Sequence, residues 1–387
     1  MLPNEWQRVP VGKVCNSIVP GRNKPKYFDG DIPWVTTPEI SGRYVPSALQ
    51  KNYVSETVLK ECGGKIVPKG AVVMAAVGEL GLVALAAEKV VLNQQLHAFV
   101  CSNSVHNEYL AYALKAQKYY MESVASKTTI PYMNKTNCES IPVPLPPLPE
   151  QKKIAQILSA WDQAITATKR LLENSQQRKK GLMQQLLTGK KRLRGCEGEF
   201  NDLPLSEAAR ITMGTSPKSA AYNSSGEGLP LLQGNADIEN RRSKPRVYTS
   251  EITKACQPGN ILLSVRAPVG SVAISDHEAC IGRGICAIQA KPGNDQAFLY
   301  QWMLWYEPRW ASLSQGSTFE SVNSADIKNL NVRVPKAAEQ SAIAQVLSTG
   351  DQEIISLQNR LECLKREKKA LMKQLLTGKR RVQVEAA

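Results

Sequence analysis

Three histidines, nine cysteines and 34 carboxylates are the raw material for catalysis or metal binding in this chain of 387 residues. Their spacing organises none of it. His97, His106 and His277 fit neither an HExxH pair nor an evident triad. No two cysteines have CxxC spacing, and Cys280 and Cys286 are the closest pair, with only His277 nearby; reduced, mostly packed thiols are expected. Gly189-Lys190 is followed by Lys191 and lacks the upstream glycine of a phosphate loop. Pro146-Pro147 stands between Leu145 and Leu148, so it is not the Asn-Pro-Pro-aromatic signature of an adenine pocket. There is no GxSxG elbow. Scattered carboxylates leave a nuclease as the one catalytic alternative.

The chemistry that remains is hydrogen bonding from loops. Arginine suits guanine, asparagine and glutamine suit adenine, and lysine sits on phosphate. In the first part of the chain such side chains fall at Arg22, Asn23, Lys24 and Lys26, at Thr36 and Thr37, at Arg43 and Tyr44, at Gln94, at Lys127 and Thr128, and at Asn134. In the second part they fall at Gln233 and Asn235, at Arg241, Arg242, Lys244 and Arg246, at Arg266, Arg283, Ser317, Thr318 and Asn323. The same types are common in ordinary surface loops. The 241–246 run is the densest cluster.

Net charge is +15, unevenly spread. Residues 1–149 carry 15 basic and 11 acidic side chains, 150–195 carry 11 and 3, 196–335 carry 13 and 14, and 336–387 carry 10 and 6. A polyanionic partner fits, because phosphate neutralisation supplies much nucleic-acid affinity. In the third block any such contact must rest on a local patch.

The elements that position these residues are duplicated. Glu150-Gln151, Ile154-Ala155-Gln156 and LMQQLLTGK at 182–190 recur as Glu339-Gln340, Ile343-Ala344-Gln345 and LMKQLLTGK at 371–379, a constant offset of 189. The offset continues upstream more weakly, with Gly70 over Gly259, Gly81 over Gly270, and Tyr109-Leu110 over Phe298-Leu299. The chain therefore reads as two copies of a variable domain plus a repeated helix.

Each repeated segment predicts a long helix. Apolar or small residues at Ile154, Leu158, Trp161, Ile165, Thr168, Leu172, Ser175, Leu182 and Leu186 alternate steps of four and three, the seam of a coiled coil, and Ile343, Leu347 and their successors keep the register. Prolines 142, 144, 146, 147 and 149 bar an earlier start, and Gly189 and Gly378 stand at the C-terminal caps. From Glu150 to Leu187 the first helix would run roughly 57 Å. Pairing antiparallel, the two would hold the variable domains apart with pseudo-twofold symmetry. Lys179 and Lys368 interrupt the seam at one layer, either as snorkelling ends or as register-fixing or partner contacts. The basic tails at 190, 191, 192 and 194 and at 379–381 suit phosphate or plain solvent. The variable domains read as α+β, each one twisted sheet with one or two helices. Strands are expected at Val72–Val77, Val83–Leu85, Ile261–Val265 and Val272–Ile274, and helices at Glu108–Val124 and near Ala297–Tyr306. The divisions are 1–149, 150–194, 195–335 and 336–387.

The paired segments Leu145-Pro146-Pro147-Leu148-Pro149-Glu150-Gln151 with Ile154-Ala155, and Val334-Pro335 with Glu339-Gln340 and Ile343-Ala344, each ending in LLTGK, resemble the specificity subunit of type I restriction-modification systems. Ile32-Pro33-Trp34-Val35 and Leu229-Pro230-Leu231-Leu232 resemble that family's early strands. The second copy departs at Lys336-Ala337-Ala338. The resemblance implies two tandem α+β target-recognition domains separated by long helices, each domain reading one half of a bipartite, asymmetric site on double-stranded DNA. Two methyltransferase subunits would dock on the helices, for which the candidates are Glu150, Gln151, Ile154, Leu158 and Trp161, with Glu339, Gln340, Ile343 and Leu347. S-adenosylmethionine, ATP and Mg would belong to those partners and to a separate restriction subunit, with no cofactor or catalysis in this chain. No apolar run or N-terminal h-region suggests a membrane span or export, which places the protein in the cytoplasm. The competing readings are a solitary DNA-binding protein without methyltransferase partners and a coiled-coil adaptor that binds no DNA.

Overall fold

The computed structural model describes residues 2–21, 23–314 and 321–384, and the chain divides into two compact units. One comprises Met1–Thr168 with Arg360–Ala387, the other Lys169–Asn359. The units cut across the linear divisions: each takes one variable domain, half of the helix Leu148–Leu186 and half of the helix Ala337–Leu375. No helix among the described residues is long and apolar enough to cross a membrane.

The domain of the first unit has two main sheets, where the sequence pattern suggested one. One is five-stranded, ordered Cys15–Ile18, Leu96–Cys101, Val72–Ala75, Val83–Ala86, Tyr44–Val45; the other is four-stranded, ordered Tyr53–Val54, Ile32–Val35, Val90–Leu92, Ile66–Val67. The second sheet was hidden because Ile32–Val35 and Val90–Leu92 are buried throughout and pair in parallel, Trp34 with Val91 and Val35 with Leu92. Such strands show no alternation for a periodicity argument to detect. The helix expected over Glu108–Val124 is two, Asn107–Lys115 and Lys118–Val124. The first lays Tyr109, Leu110 and Leu114 into the core beside Val72, Met74, Leu85 and Phe99. A ribbon of Gln7–Pro10 with Pro142–Leu145 closes the domain just before the long helix begins.

The second unit repeats the plan. Its sheets are ordered Ala209–Met213, Ile285–Ala290, Ile261–Ser264, Val272–Ile274, Arg242–Ser243, Ile238–Glu239 and Tyr222–Asn223, Val247–Thr249, Leu229–Leu232, Ala279–Ile281, Ala255–Cys256. Leu231–Leu232 again pairs in parallel with Cys280–Ile281. A ribbon of Asn201–Pro204 with Asn331–Val334 precedes the second long helix, and the helix near Ala297 extends over Gln296–Ser314.

Within each unit the two helical segments run antiparallel, fixed by two sets of charges 189 positions apart. In the first unit Lys368 Nζ donates to Asp162 Oδ1, and Tyr112 Oη donates to Asp162 Oδ2 at 2.6 Å. In the second, Lys179 Nζ donates to Asp351 Oδ1, and Gln301 Nε2 donates to Asp351 Oδ2 at 2.7 Å. The lysines that break the apolar seam are thus not frayed ends. Their side chains are only 11% and 15% exposed, and each locks one helix to the other and to a side chain of the variable domain. A polar group inside a seam specifies register in this way. At the helix ends Arg381 forks onto Glu150 and Arg192 onto Glu339, the latter at 2.7 and 2.6 Å, with each glutamate 3% exposed. Gly189 and Gly378 cap their helices at φ 71°. A Cβ on Gly378 would meet Pro3 at 2.5 Å. Asp351→Asn leaves Lys179 without its counter-charge in a partly buried layer, so unfolding free energy should fall by about 1–3 kcal/mol. Chemical denaturation measures this, and an unchanged midpoint would count against the register role.

Candidate nucleic-acid interface

Three loops of the first unit are joined edge to edge by backbone hydrogen bonds. Asn93 N donates to Val35 O at 3.0 Å, Ala76 N to Gln95 O at 2.8 Å, and Met133 N to Ala76 O at 2.7 Å. The first bond sets the 93–95 turn beside the Thr36–Glu39 loop, where both members of the parallel strand pair end. The other two join that turn, through Ala76, to the 126–134 loop. Thr36, Thr37, Gln94, Lys127, Thr128 and Asn134 therefore belong to one series. The loop after Val35 is anchored by the buried Glu39, which accepts from Thr36 N at 2.8 Å and Thr36 Oγ1 at 2.9 Å. Thr37 Oγ1 donates to Gln95 Oε1 at 3.2 Å, and Thr128 Oγ1 to Ile130 O at 2.8 Å. Gln94 and Lys127 are exposed.

The second unit repeats all three links. Gly282 N donates to Leu232 O at 2.8 Å, Val265 N to Gly284 O at 2.9 Å, and Val322 N to Val265 O at 2.9 Å. This places Gln233, Asn235, Arg266, Arg283 and Asn323 in the equivalent series. The buried Asp237 replaces Glu39, accepting from Gln233 N at 2.8 Å and Gly234 N at 3.3 Å, and Arg246 Nε donates to its other oxygen at 2.8 Å. Arg266 and Arg283 are exposed. Asn134 and Asn323 hold one job in both copies, accepting from helix N-termini at Asn137 N and at Ala325 N and Asp326 N. Arg22, Ser317 and Thr318 lie outside the described residues.

The other candidates lie elsewhere. Asn23, Lys24 and Lys26 are exposed on a separate loop, with Lys24 Nζ 6.0 Å from the Phe28 ring centre. Arg43 is turned onto the long helix: it donates to Ser159 Oγ, pairs with Glu108 at 2.7 Å and lies over the Tyr112 ring. Tyr44 Oη donates to Glu108 Oε1 at 3.1 Å, and burial raises its pKa. Arg241 is the counterpart of Arg43, since Leu85 N donates to Arg43 O and Ile274 N to Arg241 O. It donates to Val272 O at 3.0 Å and Glu307 Oε1 at 2.6 Å. Burial works to lower its pKa, and the hydrogen bond and charge of Glu307 outweigh that, leaving it raised. Arg242 pairs with Asp276 and Lys244 with Glu239. The run that looked densest in the sequence is thus tied to its own domain, although such exposed pairs exchange partners at little cost.

The helix residues expected to dock partners are engaged inside the chain. Ile154, Leu158, Ile343 and Leu347 are fully buried. Gln151 accepts from His106 N at 2.8 Å and donates to Ser104 O and Pro146 O, while Gln340 accepts from Asp295 N at 2.8 Å and donates to Pro335 O. Glu150 and Glu339 receive the arginines described above. Of these nine residues only Trp161 is half-exposed, and the other eight are buried. The tail arginines at 192 and 381 are the ones bonded to those glutamates. Among the described residues, no group of three or more His, Cys, Asp or Glu is placed to hold a metal.

Against this geometry, the model for the type I restriction modification DNA specificity domain matches twice, over residues 3–174 and 198–366. The chain belongs to that family. A protein named for the specificity subunit of type I restriction enzyme MjaX, from Methanocaldococcus jannaschii, is 34% identical over 298 residues, covering 72% of this chain and 69% of its own. The HsdS subunit from Thermoanaerobacter tengcongensis is 25% identical, with a TM-score of 0.51 and coverage of 97% and 98%. A type I S subunit from M. genitalium, at 15% identity and a TM-score of 0.67, covers 97% of this chain and 98% of its own and shares the fold. This specificity subunit supplies DNA target recognition and not catalysis. A Cβ on Gly284 would stand 2.2 Å from Gln233 O, whereas one on Gly181 meets nothing within 4 Å. Gly284→Ala should therefore cost about 1–3 kcal/mol and weaken target binding through the second loop series. Gly181→Ala should be tolerated. Denaturation and duplex-binding titrations on both variants check this, and equal behaviour of the two would contradict it.

Proposed function

We propose that this specificity subunit reads a bipartite, asymmetric DNA site, each loop series addressing one half. The observation that supports this is the repetition of the three backbone links with different side chains on them: Thr36, Thr37 and Gln94 in one series, Gln233, Asn235, Arg266 and Arg283 in the other. Equal domains suit a palindrome and unequal ones do not. Specificity subunits of type I systems assemble with DNA and methyltransferase subunits. On this reading two modification subunits dock on exposed parts of the helices and bring S-adenosylmethionine. A restriction subunit brings ATP and Mg, and the complex acts in the cytoplasm. The paired helices set the unspecified gap.

The chain co-expressed with adjacent methyltransferase genes in a methylation-free host should yield one two-part adenine-methylation motif of fixed gap on long-read sequencing. The motif should vanish when the chain is omitted. Methylation that persists without the chain, or a soluble complex with no motif, would favour a solitary DNA-binding protein or an adaptor.

A further inference from the structure

Gln94 and Arg283 stand at the same place in the fold, 189 positions apart, each at the tip of the turn leaving the inner parallel strand: Val90–Leu92 into Leu96–Cys101, and Ala279–Ile281 into Ile285–Ala290. What surrounds each tip is fixed. In the first copy Asn93 Oδ1 accepts from Gln95 N at 3.2 Å, and Asn93 Nδ2 and Thr37 Oγ1 both donate to Gln95 Oε1, at 3.3 and 3.2 Å. In the second, glycines do this by close approach. A Cβ on Gly284 would stand 2.2 Å from Gln233 O, and one on Gly214 would stand 2.1 Å from Gly282 O. Arg283 itself donates from its backbone N and from Nε to Ser216 Oγ, at 3.1 and 3.3 Å. That bond steadies the guanidinium along one edge and leaves the edge bearing the terminal amino groups to act as a donor pair. Both tips are exposed.

A turn whose backbone place is kept in both copies, held by side-chain hydrogen bonds in one and by glycine close approach in the other, presents an amide at its tip in the first and a guanidinium in the second, and so is suited to carry one interchangeable side chain. We infer that Gln94 and Arg283 are matched specificity-determining residues, reading the corresponding base pair in their respective half-sites. Gln94 selects adenine through N6 and N7, and Arg283 selects guanine through O6 and N7. The inference rests on the two-half reading above and adds which residue reads and which base it takes.

The test uses the full chain assembled with its methyltransferase subunits, unaltered or carrying Arg283→Gln, Arg283→Lys or Gln94→Arg. Each assembly selects from a pool of duplexes randomised across both halves, and its methylation motif is mapped in cells. Arg283→Gln should move one position of one half from guanine towards adenine, while Arg283→Lys, which keeps the charge but loses the planar two-donor fork, should lose discrimination there by roughly ten- to a hundredfold. Gln94→Arg should bring guanine to one position of the other half. In every case the second half and the gap stay unchanged, which also reports that the variant is folded. An unchanged motif in all three variants would overturn the inference. So would a uniform loss of binding to every duplex with no shift in base preference, the behaviour of a phosphate contact. If the unaltered assembly itself selects no two-part motif, the underlying reading fails instead.

Discussion

A carboxylate buried at the start of each long helix, answered by an arginine from beyond the end of the other, is the constraint on which the architecture turns. Glu150 and Glu339 are nearly inaccessible, and such charges are tolerated only when paired and hydrogen-bonded. Arg381 and Arg192 supply both conditions, and their hydrogen bonds to these glutamates raise the arginines' own pKa values. About three turns further along each helix, Asp162–Lys368 and Asp351–Lys179 repeat the device. An apolar seam alone can slip by a turn at modest cost. Two charge pairs per unit forbid that, because a slip would strand every one of them. Gln151 and Gln340, next in sequence to the glutamates, bond to the loops ahead of the domain helices, so helix register and domain placement are set together within each unit.

This arrangement explains why the duplication persists so unevenly. The contacts of the frame are repeated: glutamate, glutamine, aspartate, lysine, glycine cap and arginine all recur at one offset. The asparagine caps at 134 and 323 recur as well. The loops between them recur only as backbone. Thr36 and Gln233, or Gln94 and Arg283, share position without sharing chemistry. Identity marks what holds the molecule together, and divergence at a matched, exposed position marks what it presents.

Much of the frame was legible in the sequence, since a 39-residue helix with a 3.5-residue seam and a glycine cap leaves a strong periodic signal. The lysine breaks in that seam were visible too, but their aspartates were not. Those partners lie 172 and 206 residues away, and no local pattern joins them. The loops were found as polar insertions. Their grouping was not, because it depends on three backbone bonds between segments remote in sequence. The acid partners of the basic loop run were hidden for the same reason. Arg241, Arg242, Lys244 and Arg246 form the densest basic run among the loop candidates, and each is paired to an acid of its own domain. The isolated Arg283 stands exposed between two glycines that only the fold explains.

The central claim is that one frame carries two independent readers, and exchange of a single reader tests it most directly. Residues 200–333 would be replaced by the corresponding domain of another specificity subunit, leaving both long helices intact, and the methylation motif of the assembled complex would be mapped. One half of the motif should change, while the other half keeps its sequence. A motif altered in both halves would contradict the account, since the loop series would then not act separately.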